Sequence, residues 1–190
     1  MRNINKSLEN WLNELNNFSF KSYEGKPDMD LYMEQMLGYL DRELSIFKTS
    51  SLDKQITSSM INNYVKGDVI ASPILKKYNR EHIAQIEEVC TLKSVLSLNE
   101  IKQIIDSEYK NVTAKADVFN SFNKDNNDKI NNCVNEAFIK LNQIEENDVK
   151  ALNHLALDFA VTANTYIAIA KRILFLTHLY EFDKENNINQ

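Results

Sequence analysis

Four short polar side chains in the stretch ITSSMINNYVKGDVIASPILKKY (residues 56–78) have types and spacing suited to hydrogen bonding with nucleic-acid bases. If residues 57–66 form a helix, these four share one face, opposite the apolar side chains. They are Ser58, Ser59, Asn62 and Asn63. An asparagine amide can pair with adenine through two hydrogen bonds, and a serine hydroxyl can reach a base or a phosphate. The four are therefore candidate base-reading residues; the alternative is a solvated face in a chain rich in asparagine.

Basic side chains around this helix are candidate contacts for phosphates. They are Lys66, Lys76, Lys77 and Arg80. From Lys54 to Arg80 the only acid is Asp68, so the segment carries a net charge of +4 in a chain whose net charge is −5. A phosphate backbone responds to local charge, whereas the charge of the whole chain mainly affects solubility and non-specific association. The acidic chain as a whole therefore does not exclude a DNA-binding segment.

Local signals define the elements that must position these residues. Thr57 is a good N-cap for the helix, and Gly67 lies where a helix would end in the left-handed conformation. Residues 68–78 are rich in β-branched side chains and interrupted by a proline, which suits two short strands forming a wing, or an extended loop. The residues predicted to have structural roles in this region are Tyr64, Gly67, Pro73 and Tyr78.

Amphipathic spacing predicts helices on both sides of this stretch. The predicted ranges are 7–17, 29–47 and 80–95, followed by a helix that starts after residue 97. Ser7 can cap the first of these helices, Asp28 or Asp30 the second, and Asn79 the third. The sequence SLNE, at residues 97–100, is a capping box for the fourth.

The last third of the chain is predicted to be long helix. Large apolar residues recur there with a period near 3.6, and the polar run NKDNNDK, residues 123–129, is a candidate interruption. The final helix, residues 149–182, is apolar on most faces but contains Asp158, Lys171 and Arg172. These charges indicate an ion pair or an exposed strip, or else a ligand pocket, and they argue against a membrane span.

The order of features from Met60 to Ile105 resembles the DNA-binding head of MerR-type regulators. That head runs from a recognition helix ending in an aromatic residue, through a proline-bearing wing that closes on a tyrosine, to two further helices. The matching residues here are Tyr64, Pro73, Tyr78, the apolar series from Ile83, and Ser97 to Ile101. The resemblance implies a winged helix-turn-helix fold. Two features depart from it, namely the longer loop from Thr49 to Gln55 and the lysines that replace an arginine cluster in the wing.

A longer pattern resembles a family of uncharacterised bacterial proteins that share a domain of unknown function. It comprises DLYMEQ at residues 30–35, the helix MINNYVK at 60–66 and the wing end KKY at 76–78. This resemblance extends over about residues 28–110 and is weak in the helical remainder.

Enzymatic motifs are absent from the sequence. It has no glycine-rich phosphate loop, no G-x-S-x-G turn and no H-E-x-x-H pair, and His82, His154 and His178 lie far apart. We therefore predict no catalytic residues, no metal and no cofactor. Cys90 and Cys133 lie at apolar helical positions and are predicted to be reduced core thiols. Together with the lack of a signal-peptide core at the N-terminus, they favour a cytoplasmic protein.

These inferences combine into one architecture. The sequence predicts an all-α protein with an N-terminal helix and linker (1–27), a MerR-like winged helix-turn-helix head (28–110), a helical dimerisation or sensor region (111–182) and a flexible tail (183–190). We expect a homodimeric transcriptional regulator that binds double-stranded DNA and is not associated with a membrane. A small-molecule effector is possible, but the sequence does not identify it. The alternatives are a non-enzymatic protein–protein interaction module and a small-molecule sensor that keeps the same head.

Overall fold

The computed structural model describes residues 3–48 and 55–188, with side chains described as far as Lys184. Within these ranges the chain is mostly helical, as predicted. The elements are α1 (Ile4–Asn16), β1 (Leu31–Tyr32), α2 (Met33–Glu43), a 3-10 turn (Ser45–Phe47), α3 (Ser58–Lys66), β2 (Lys77–Tyr78), α4 (Arg80–Leu92), α5 (Leu98–Glu108), α6 (Lys115–Leu141) and α7 (Val149–Ile188). Lys54 and most of the loop predicted from Thr49 to Gln55 lie outside the described residues.

Helices α2 to α5 share one hydrophobic core. Its fully buried side chains come from every one of these helices, because apolar residues recur at steps of three and four along each of them. They include Met36, Leu40, Ile61, Ile83, Ile86 and Ile101. Three predicted caps are confirmed: Thr57 for α3, Asn79 for α4, and the reciprocal pair of Ser97 and Glu100 for α5.

The small sheet joins two distant parts of the chain. Strand β1 pairs antiparallel with β2, with Leu31 opposite Tyr78. The prediction of a helix from residue 29, capped by Asp28 or Asp30, is therefore wrong at its start. Pairing with β2 keeps residues 31–32 extended, and α2 begins at Met33, where the side chain of Gln35 accepts a hydrogen bond from the Tyr32 amide at 3.0 Å.

The exit from α3 also differs from the prediction. Gly67 has a φ of −81° and is not left-handed, whereas Asp68 is, with a φ of +53°. Aspartate tolerates this conformation better than most residues because its side chain is short and polar. A glycine still suits position 67, since a Cβ there would lie 3.3 Å from the backbone oxygen of Asn63.

Asparagines of α6 hold the segment between α1 and β1. Asn120 and Asn127 accept hydrogen bonds from the backbone amides of Tyr23 and Phe20, and Asn123 donates to the Lys21 carbonyl at 2.7 Å. We call these three asparagines the α6 asparagine row. They belong to the polar region that includes the predicted interruption at residues 123–129, yet α6 continues through it. Asn123 and Asn127 of this run therefore bind the backbone of another segment, and the run does not end the helix.

Two further contacts connect the N-terminal and C-terminal parts to the unit formed by α2 to α5, which we call the head. Lys26 and Glu87 form an ion pair with fully buried side chains, and the Lys26 ammonium also lies 5.1 Å from the centre of the Phe119 ring. Helix α1 packs on the C-terminal half of α6 through Leu12 and Val134. The segment before β1 and the first half of α6 are therefore part of the same packed unit as the head.

Helix α7 is long and largely uncovered. It contacts α5 through Gln103, whose side chain donates to the Leu174 carbonyl and the Thr177 hydroxyl, both at 3.0 Å. Asp158 pairs with Lys140 of α6 at 2.5 Å. Contrary to the expectation drawn from its charges, the part from Val149 to Lys184 is long and apolar enough to span a membrane. The helix also continues to Ile188, past the predicted end at residue 182.

The two cysteines differ in their surroundings. Cys90 is buried in the core shared by α2 to α5, as predicted, and burial raises the pKa of its thiol to about 12. Cys133 is exposed on α6, so the prediction of a core thiol is wrong at that position. Its neighbour Val134 takes the inward position against α1, which turns Cys133 toward solvent.

Candidate nucleic-acid interface

Helix α3 is fixed to the head by one face. Ile61 is fully buried and Tyr64 nearly so, and both belong to the core shared by α2 to α5. At its N-terminus the Thr57 hydroxyl accepts a hydrogen bond from the Met60 amide at 3.3 Å. Because the apolar residues occupy one side of a helix with 3.6 residues per turn, the polar residues between them must face outward.

All four candidate base-reading residues are exposed on that outward side. Together with Lys66, which is also exposed, they form what we call the α3 polar face. Its members are Ser58, Ser59, Asn62, Asn63 and Lys66. The face presents hydroxyls, amides and one ammonium, and α3 contributes no carboxylate to it. It can therefore donate and accept hydrogen bonds without repelling a polyanion.

The lysine that follows α4 contacts the chain at the start of α3, and this contact was not predicted. The Lys93 ammonium donates to the Gln55 carbonyl and lies 3.9 Å from the sulfur of Met60. The only sequence signal is a basic residue at the end of a helix, where cations are generally favourable. That signal does not indicate that Lys93 binds the Gln55 carbonyl, just before α3.

The acid that directly follows α3 along the chain is paired. Asp68 follows α3, and its carboxylate lies 2.9 Å from the ammonium of Lys102 on α5, which also donates to the Asp68 carbonyl at 2.6 Å. The hydrogen bond from Lys102 lowers the pKa of Asp68, and the same bond raises the pKa of Lys102. Pairing reduces the repulsion that Asp68 would exert on a phosphate. Lys102 also pairs with Asp106 at 3.4 Å, so its positive charge is shared between two carboxylates.

The predicted wing is a tight hairpin. Ile74 and Lys77 exchange two backbone hydrogen bonds, at 3.0 and 2.9 Å, across a turn whose central residues, Leu75 and Lys76, both have positive φ angles. The Lys76 side chain is exposed at the tip. Ile74 and Leu75 are 63% and 88% exposed, so the tip also presents apolar surface. Pro73, just before the turn, is half-buried.

Two of the residues predicted to contact phosphates lie against aromatic rings. The ammonium of Lys77 is 5.2 Å from the centre of the Tyr32 ring, so it covers the strand next to its own. The Arg80 guanidinium lies 5.8 Å from the centre of the Tyr23 ring, and its Nε donates to the Pro27 carbonyl at 3.4 Å. These contacts pack Arg80 against the segment before β1, and its contact with phosphate stays a prediction. Lys66 and Lys76 are the exposed cations that remain from the predicted set.

The base of the hairpin is anchored by a buried histidine. The His82 ring donates from Nε2 to the Ser72 carbonyl at 3.1 Å and accepts at Nδ1 from the Asn79 amide at 3.3 Å. It also packs edge-to-face on Tyr78, with ring centres 5.8 Å apart. His82 thus has a structural role. The sequence did contain a signal for this role. In a capping box, the side chain three residues after the N-cap accepts a hydrogen bond from the N-cap amide, and His82 stands at that position relative to Asn79.

Tyr64 and Tyr78 are both buried, as a packing role requires. The Tyr64 hydroxyl has no hydrogen-bond partner within the described part of the chain. Burial raises the pKa of both phenols. Neither ring is available to a ligand at the surface.

Comparison with known protein families gives a match over more than half of the chain. The model of the family described as "Domain of unknown function (DUF1836)" matches residues 21–125. The chain belongs to this family. No curated protein and no solved structure matches it.

The DUF1836 match includes the α3 polar face and the hairpin, and it extends beyond both ends of the predicted head at 28–110. The additional residues include Lys26, before the head, and Phe119, after it, whose side chains contact each other. Helices α1 and α7 lie outside the match. The DUF1836 region is thus the part that presents the polar face, while α7 adds a large exposed apolar surface to it.

Proposed function

We propose that this DUF1836 protein is a cytoplasmic transcriptional regulator that binds double-stranded DNA through α3 and the hairpin. The observation that carries the proposal is the α3 polar face, five exposed polar residues without a carboxylate on a helix whose opposite side is buried. The order of elements also supports it. A strand precedes α2, α3 follows it, and a hairpin returns to that strand before α4, which is the order expected of a winged helix-turn-helix head.

In the proposed complex α3 enters a major groove. Asn62 and Asn63 read base edges, with adenine as the preferred partner of an amide, and Ser58 and Ser59 contact bases or phosphates near the start of the helix. Lys66 and Lys76 neutralise phosphates on either side. Lys77 and Arg80 lie over the rings of Tyr32 and Tyr23, and they add positive charge beside the hairpin.

The proposed regulator is a homodimer formed by α7. One face of α7 contains Asp158, Val161, Thr165, Ile169 and Arg172, spaced three or four residues apart. In an antiparallel pair with its two-fold axis at Thr165, Asp158 faces the partner's Arg172, and Val161 faces the partner's Ile169. The two-fold symmetry then brings opposite charges together and apolar residues together.

The separation of the two points at which the heads would attach to α7 supports binding to neighbouring major grooves. Each head contacts α7 at Leu174 and Thr177, which lie about 14 and 18 Å from Thr165 along a helix that rises about 1.5 Å per residue. The two attachment regions are therefore about 27 to 36 Å apart, and successive major grooves are about 34 Å apart.

Binding to duplex DNA over a series of salt concentrations tests the proposal. A DNA-binding protein shows affinity that falls steeply as salt rises, because neutralising phosphates releases counterions. If the folded protein binds neither its own promoter nor random duplex at low salt, the regulator function is wrong.

A protein-interaction module is the second candidate, and the exposed hairpin tip favours it. Ile74 and Leu75 present apolar side chains that solvated DNA would not cover, whereas a protein partner could bury them. The two functions differ in the effect of Leu75→Ser. That change weakens capture of a protein partner, and it leaves the salt dependence of DNA binding unaltered.

A further inference from the structure

A cavity of about 520 Å³ opens between α4, α5 and the start of α6. Its volume lies within the range of small-molecule pockets. The apolar part of its lining comes from Leu92, Ile104, Ile105, Val118 and Phe122. The DNA-binding proposal makes no use of this cavity.

Glu88 is the buried polar group in this lining. Its side chain comes from α4 and the residue is only 3% exposed. One carboxylate oxygen accepts a hydrogen bond from the Tyr109 hydroxyl at 2.9 Å. The other oxygen, Oε2, is buried and has no hydrogen-bond partner among the described residues. A buried carboxylate oxygen without a partner is costly, and such groups usually have one.

The remaining polar lining determines the charge of a suitable ligand. Glu108 of α5 and Asp117 and Asp125 of α6 also line the cavity, and none of its described lining residues is a lysine or arginine. An anionic ligand would therefore meet repulsion from every side. A hydrated divalent metal would need several oxygen ligands, whereas much of this wall is hydrocarbon. An organic cation with an apolar body satisfies both parts of the lining.

We propose that this cavity binds a hydrophobic organic amine, whose protonated nitrogen pairs with the carboxylate group of Glu88 at the cavity wall and whose aromatic or branched alkyl body packs against Ile104 and Phe122. The rim carboxylates, Glu108, Asp117 and Asp125, attract the cation and are solvated. The site is independent of DNA binding, and it would give the predicted sensor a defined ligand class. Helix α4 joins the two sites, since it carries Glu88 and begins immediately after the hairpin.

Calorimetric titration with a charged and a neutral probe of equal size tests the proposal. The probes are 2-phenylethylammonium and 2-phenylethanol, and the proteins are the wild type, Glu88→Gln and the control Glu145→Gln, whose side chain is exposed and remote from the cavity. We expect the ammonium to bind the wild type and the control at least tenfold more tightly than the alcohol, and Glu88→Gln to remove that preference. Equal affinities for the two probes, an unaltered preference in Glu88→Gln, or no binding at millimolar concentration would overturn the proposal.

Methyl chemical shifts of the wild-type protein give an answer that does not depend on any variant. The ammonium probe should move the methyl signals of Ile104 and Val118 and leave those of Ile169 and Ile173 unchanged. The last two residues lie on the exposed apolar surface of α7, where a hydrophobic amine could bind without specificity. Shifts confined to α7 would show that the cavity is not the binding site.

Discussion

The ammonium of Lys26 lies 2.6 Å from both carboxylate oxygens of Glu87, and both side chains are fully buried. This pair joins the segment before β1 to the centre of α4. Burial raises the pKa of Glu87 even though Lys26 opposes that shift. The carboxylate therefore depends on its partner for compensation in the folded protein.

Removal of Lys26 alone should be strongly destabilising. We expect Lys26→Met to lower the free energy of unfolding by about 3–5 kcal/mol, because it leaves an uncompensated buried carboxylate. The double change Lys26→Met with Glu87→Met should recover most of that loss. Urea unfolding at neutral pH measures both, and Lys21→Met is the control, because the Lys21–Glu43 pair is half exposed and should contribute less than about 1 kcal/mol. A double variant no more stable than the single one would contradict this account.

Glu88 should make stability depend on pH. Burial raises its pKa to about 7, so between about pH 4.5 and pH 7 the folded protein retains a proton that the unfolded chain has released. The stability linked to this proton is present at low pH and is lost as pH rises toward 7, by about 3 kcal/mol in total. Glu88→Gln should lack this loss, so the difference in unfolding free energy between variant and wild type should grow over that interval. Parallel pH profiles would show that Glu88 titrates normally.

Sequence preference in DNA binding should depend on the asparagines of α3. We expect Asn62→Ala and Asn63→Ala each to reduce discrimination between the preferred site and random duplex, by about 1–3 kcal/mol where a paired base contact is lost. Binding to random duplex should change little. Competition titrations with both duplexes measure the ratio, and Asn142→Ala, at an exposed position after α6, is the control. Equal losses on both duplexes would assign these asparagines to non-specific contact.

Lys76 and Arg80 should behave differently although both were predicted to contact phosphate. Lys76→Ala should weaken binding to all sequences alike and reduce the salt slope by about 1. Arg80→Ala should instead lower the stability of the protein by about 1 kcal/mol, because its contacts are with Tyr23 and Pro27, and leave the salt slope unchanged. Salt titrations combined with urea unfolding separate the two effects. A reduced salt slope for Arg80→Ala would return it to the DNA interface.

Charge exchange across the α7 pair should test its register. We expect a dimer by light scattering at micromolar concentration, weakened by Asp158→Arg and by Arg172→Asp singly. Combining both changes should restore it in part, because the pair between Asp158 and Lys140 of α6 is still lost. Ile169→Glu should give a monomer, while Lys150→Glu, in the same helix but away from the two-fold axis, should not. A wild-type monomer would remove the two-site binding model. Partition of the wild type into vesicles would assign the apolar surface of α7 to a membrane.

Local signals predicted the elements around the candidate interface well. The caps at Thr57 and Asn79 and the capping box at Ser97 rely on hydrogen bonds within three residues, so the sequence contains all their partners. The exposure of the α3 polar face follows in the same way from helical periodicity. Its extent could therefore be derived before the fold was known.

Partners distant in sequence could not be derived in this way. Strand β1 was predicted to be helix because the residues of β2 that pair with it lie 45 and 47 positions later in the chain. Nothing near Arg80 in the sequence indicates its contact with the Tyr23 ring. The same reason applies to Glu88, since its position in an acidic apolar helix gives no sign of the cavity that α5 and α6 form around it.

The α6 asparagine row has a consequence for the order of events during synthesis. The backbone of residues 20–23 obtains its hydrogen bonds from side chains about a hundred positions later in the chain. While the ribosome is still translating the first half of α6, those amides and carbonyls must remain bound to water, and Lys26 lacks the Phe119 ring beneath it. The head therefore completes its packing only after residue 127 has left the exit tunnel, and a chain halted at residue 110 would expose the surfaces that α6 normally covers.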